Sequence, residues 1–157
     1  MTTITSVVAG IRARLEANVP TYSQGGSTKV IGLRWQGESG GPLPNTPQPF
    51  AWTAFVADQG RVAGFGGGRG ANLYRHAGQI EAYVFVPLDW GADVGLAIAE
   101  QYAALFRSHR DATMSCFDAT VDPGGPGSMI KPPGLDSEVE AYWYCGVLVS
   151  LFYDQIG

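Results

Sequence analysis

The stretch EVEAYWYCGVLVSLFY, residues 138–153, constrains the fold more than any other part of the chain. Read with the two-residue period of a strand, Val139, Ala141, Trp143, Cys145, Val147, Val149 and Leu151 share one face. Glu140, Tyr142, Tyr144, Leu148, Ser150 and Phe152 fall on the other. Both faces are largely apolar, so the strand must lie inside a sheet or be covered on its outer face by a neighbouring subunit.

The remaining elements have to supply that cover. Ile4, Val7, Val8, Ile11 and Leu15 recur at helical spacing, with Arg12, Arg14 and Glu16 largely opposite, and Pro20 closes the helix. A second helix is expected over residues 92–108, where Val94, Ile98, Tyr102, Leu105 and Phe106 form an apolar stripe and Asp93 suits the positive N-terminal end. Strands are expected over 28–35, 50–57, 74–87 and 113–121. Long Gly- and Pro-rich loops are expected at 36–49, 58–71 and 122–137. No internal repeat occurs. The order α-β-β-β-α-β-β predicts a single α+β domain over residues 1–157, an α/β sandwich with a mixed sheet of about five strands and two helices on one face. The helix after the third strand allows a right-handed crossover.

Composition narrows the function classes. A chain of 157 residues with 45% apolar side chains can bury a substantial core, whereas 15% charged residues is low against the roughly 25% usual for soluble domains. That deficit points to surface covered by a partner. With 14 acidic and 10 basic side chains the chain lacks the basic footprint of a sequence-specific nucleic-acid binder. Arg12, Arg14 and Glu16 interrupt the N-terminal apolar pattern before signal-peptide length, so cytoplasmic synthesis is expected. No apolar run reaches the roughly 18 residues of a membrane-spanning helix.

No motif carries enzymatic chemistry. Gly66, Gly68 and Ala71 match the loose GxGxxA spacing, but they lead into a strand and not into a helix whose N-terminus could hold a pyrophosphate. There is no GxxxxGK[ST] loop and no GxSxG elbow around Ser108, Ser115 or Ser137. His76 and His109 lack partners at metal-ligand spacing, and a cation held by Asp111, Asp118 and Asp122 competes with the commoner reading of acidic strand ends. Cys116 and Cys145 are read as buried thiols. The chain is therefore expected not to be an enzyme and to need no cofactor and no metal. Arg61, Arg69 and Arg75 cluster in and after the glycine run, where they are either solvated loop side chains or groups that reach a phosphate backbone.

The amphipathic first helix, the Pro-rich connection into PFAWTAFV, the strand ending AYVFVPLDWG, the helix AIAEQYAALFR and the closing YWYCGVLVSLFYD together resemble the tail terminators of long-tailed phages and gene transfer agents. The resemblance spans nearly the whole chain. It implies a virion protein forming a homo-oligomeric ring, a hexamer, on the head-proximal end of the tail tube. There it would stop polymerisation, contact the tail tube protein and the head-completion or stopper protein, and let DNA pass without sequence preference. No membrane partner is implied. In such a ring Arg61, Arg69, Arg75 and Lys131 are the residues expected at the lumen or the subunit interface. Charge reversal at the Gly-flanked Arg69 is expected to impair assembly or DNA passage more than core stability. The competing readings are another neck or head-completion connector, and a small-ligand or nucleotide-binding domain using the glycine run.

Overall fold

A computed structural model describes residues 2–64, 70–135 and 138–156. Its centre is an antiparallel pair of long strands, β5 (Leu73–Pro87) and β7 (Tyr142–Ile156), in register from Leu73 opposite Ile156 to Pro87 opposite Tyr142. β4 (Phe50–Gly64) flanks β5, and β6 (Ser115–Pro126) flanks β7, both antiparallel. The short β3 (Gly32–Trp35) runs parallel to β4, giving a mixed five-stranded sheet in the order β3-β4-β5-β7-β6. The two-sided apolar stretch thus occupies an interior strand, one of the two places its pattern allowed. β5 and β6 are parallel to each other with β7 between them, and α2 (Ala92–Phe106) connects them. The fold is α+β.

Alternation assigns one sheet face to the helices. Ile80, Val84, Val86, Cys145, Val149 and Leu151 are buried there against Val7, Ile11 and Leu15 of α1 (Ile4–Ala17) and Ile98, Tyr102 and Phe106 of α2. Each fully buried side chain of this size contributes about 1.5–3 kcal/mol. A Thr3–Ser6 capping box starts α1, with each side chain accepting from the other residue's amide at 3.1 and 2.8 Å. Arg14 Nε donates to the Leu105 carbonyl at 2.6 Å, tying the helices together. Among the described residues the second sheet face is covered at one end, where Leu135 and Val139 pack on Phe50, Trp52, Phe85 and Tyr142. No helix among the described residues is long and apolar enough to cross a membrane.

Several boundaries differ from expectation. The strand expected over 28–35 is two elements, because the segment 21–30 folds back as a separate hairpin of β1 (Thr21–Gln24) and β2 (Ser27–Val30). Its signal is the Gly25-Gly26 pair, whose φ values of +59° and +78° suit a tight hairpin turn. The loop expected over 58–71 is shorter, since β4 continues to Gly64 across a bulge between Ala57 and Gly60; residues 65–69, including Gly66 and Gly68, lie outside the described residues. The loop expected over 122–137 likewise gives up its first part to β6, which runs to Pro126 through a second bulge. Gly124 makes this possible: at φ +75° a Cβ there would stand 1.8 Å from the Tyr144 carbonyl oxygen. The start of the expected last strand is instead a 3-10 turn, Glu138–Ala141, and the strand begins at Tyr142. In α1 only Val7, Ile11 and Leu15 are buried, while Ile4 and Val8 stay exposed because no element among the described residues covers their side of the helix.

Candidate assembly surface

The uncovered end of the second sheet face is the main candidate site. It follows from alternation: with Cys145, Val147, Val149 and Leu151 committed to the helices, Leu148, Ser150 and Phe152 of β7 must point the other way. Val56 of β4, Leu148 of β7 and Phe117 in the first bulge of β6 are 43%, 40% and 53% exposed there. The Phe117 and Phe152 rings lie 4.8 Å apart. Beside them an open groove of about 550 Å³ is lined by Arg61, Arg75, Phe117 and Phe152.

The charges of this groove are unevenly matched. Arg61 and Arg75 are directly opposite across β4 and β5. Arg75 donates from Nε and from a terminal nitrogen to the two Asp154 carboxylate oxygens, each at 2.7 Å, and its guanidinium sits 4.2 Å from the centre of the Phe152 ring. The hydrogen bond to Asp154 raises the Arg75 pKa and lowers that of Asp154. Arg61 is exposed and lines the same groove as Asp58. Exposed apolar side chains with a charged rim can bind another protein surface.

Of the four residues expected at a ring lumen or interface, the structure brings Arg61 and Arg75 together. Lys131 is exposed but stands apart, following the 3-10 turn Gly127–Met129 at the opposite end of β7. Arg69 lies outside the described residues. Sequence reasoning missed Asp154 and Phe117. The alternation of Phe152 and Asp154 places both on the Arg75 face, which was a usable signal, whereas the outward aim of Phe117 depends on the bulge.

The carboxylates considered for a cation are each engaged locally. Asp111 accepts from the Thr113 and Met114 amides and the Thr113 hydroxyl and lies 3.0 Å from His109 Nε2, while Asp118 and Asp122 accept from the amides of Ala119 and Gly124. Among the described residues no three metal-ligating side chains gather. Cys116 and Cys145 are buried, and burial pushes both thiols up to about 11.

Neither protein-family models nor curated protein sequences give a match to this chain.

Proposed function

We propose that this chain is a structural subunit of a ring at the head-proximal end of a long-tailed phage tail, where it ends tube polymerisation and presents a surface for head attachment. The observation that carries this reading is the strip of Val56, Leu148, Phe117 and Phe152 left uncovered beside Arg61 on the face away from the helices. Exposed apolar side chains set among Gln79, Glu81 and Ser150 on one face, in a chain so poor in charge, suit a partner surface. A closed ring supplies one to every subunit through two different patches, and rotational closure prevents an endless filament. The family resemblance supplies the place in the virion.

The test is deletion of the gene in the parent phage, with the lysate imaged by electron microscopy. Tails of uncontrolled length without heads are expected. Tails of normal, uniform length joined to heads would overturn the proposal. Uniform tails lacking heads would transfer the chain to the head-completion proteins.

A further inference from the structure

The sheet stops short beside β4. β3 pairs with only Phe50 to Thr53, and the ladder ends where Gln36 donates its amide to the Thr53 carbonyl at 2.8 Å and offers its side-chain oxygen to the Phe55 amide at 3.3 Å. Backbone groups of a strand alternate sides, so the Phe55 carbonyl and the Ala57 N–H and carbonyl point the same way, with no strand beside them among the described residues. This vacancy spans residues 54–57, four positions, and the bulge after Ala57 closes it. On the helix side it adjoins a groove of about 250 Å³ lined by Ile4, Val8, Trp35 and Phe55.

Elsewhere on the surface β2 pairs with β1 on one edge and, among the described residues, with no strand on the other. β2 is four residues long, and all of them are exposed, Val30 by 62%. Its hairpin is held from the β1 side, by Tyr22 against Trp90 and by Thr21 hydrogen-bonded to Gln101. Isolated two-stranded hairpins are marginal in water, and a third strand is what stabilises them.

The geometry points to strand exchange between copies of this chain: β2 of one copy lies along residues 54–57 of the next, continuing the sheet where β3 ends. The lengths match. Thr28 and Val30 alternate with Ser27 and Lys29, so one side of β2 would fill the groove beside Ile4 and Val8 while Lys29 stays in solvent. Donor strand and acceptor edge are different patches, as a head-to-tail contact requires. The inference rests on the ring reading for a second copy as the partner.

Hydrogen exchange of the full chain over a rising concentration series tests it. Amide protection at residues 27–30 and 54–57 is expected to rise together. Ala57→Pro removes an outward N–H without touching the ladder to β5, and should weaken self-association about tenfold with little change in the unfolding midpoint. Val30→Asp, on the exposed hairpin, should do the same. Protection of one segment without the other, unweakened association in both variants, or no association up to roughly millimolar concentration would each overturn strand exchange. Association that survives both variants leaves the ring reading standing, and normal tails after gene deletion remove the ring while leaving strand exchange in place.

Discussion

Arg61 and Arg75 face each other as a like-charge pair across β4 and β5, and Arg75 is neutralised by the two-pronged contact with Asp154. Like charges directly opposite on a sheet destabilise the pairing, so Asp154 screens a repulsion as well as holding Arg75 over Phe152.

Asp154→Asn is therefore expected to lower the unfolding midpoint at low ionic strength, with the difference from wild type closing in about 1 M salt. Arg61→Gln in the Asp154→Asn background should recover part of the loss. Thermal unfolding at two salt concentrations reads both effects, and a salt-independent loss would contradict the electrostatic account.

The buried contact between Thr53 and Tyr102 carries a second prediction. Their hydroxyl oxygens lie 3.0 Å apart between the sheet and α2, and burial raises the Tyr102 pKa well beyond the ordinary phenol range. Tyr102→Phe leaves the Thr53 hydroxyl buried without this partner and should cost about 1–3 kcal/mol in urea unfolding. Adding Thr53→Val removes the orphaned hydroxyl and should restore much of that loss; additive penalties would contradict the pairing.

Asp111 sets an acid limit. Partial burial pushes its pKa up, but hydrogen bonds from Thr113, Met114 and His109 outweigh that and hold it at about 2, below the ordinary 3.8. A lowered folded-state value favours folding above the unfolded pKa, so the contribution is complete above about pH 4 and fades as pH falls toward 2. Stability followed by urea unfolding between these pH values should fall less steeply in Asp111→Asn, whose side chain cannot titrate there. An unchanged slope would assign the acid sensitivity to other carboxylates.

Gly124→Ala is expected to cost about 2 kcal/mol or more, because a methyl group there would collide with the Tyr144 carbonyl as well as strain a positive φ. Gly25→Ala has a positive φ but no neighbour within 4 Å, and about 1 kcal/mol is expected. Thermal melts of the two variants compare the terms directly; equal losses would mean that the bulge accommodates the methyl group.

The sequence by itself determined the α+β class, the amphipathic helices and the interior place of the last strand, because each rests on a periodicity that the backbone imposes locally. Val147, Val149 and Leu151 had to share a face whatever packed against them. It also determined that no familiar catalytic motif is present. The tertiary structure decided what depends on partners distant in the chain. Gly60 and Gly124 read as loop residues, yet both lie in strands at bulges, because neighbouring strands carry the ladder past them. The helical stripe predicted that Ile4 and Val8 would be covered, but coverage depends on whether another element reaches them, and among the described residues none does. The pairing of Arg75 with Asp154 and the outward aim of Phe117 needed the register between strands, which bulges shift and local spacing cannot encode.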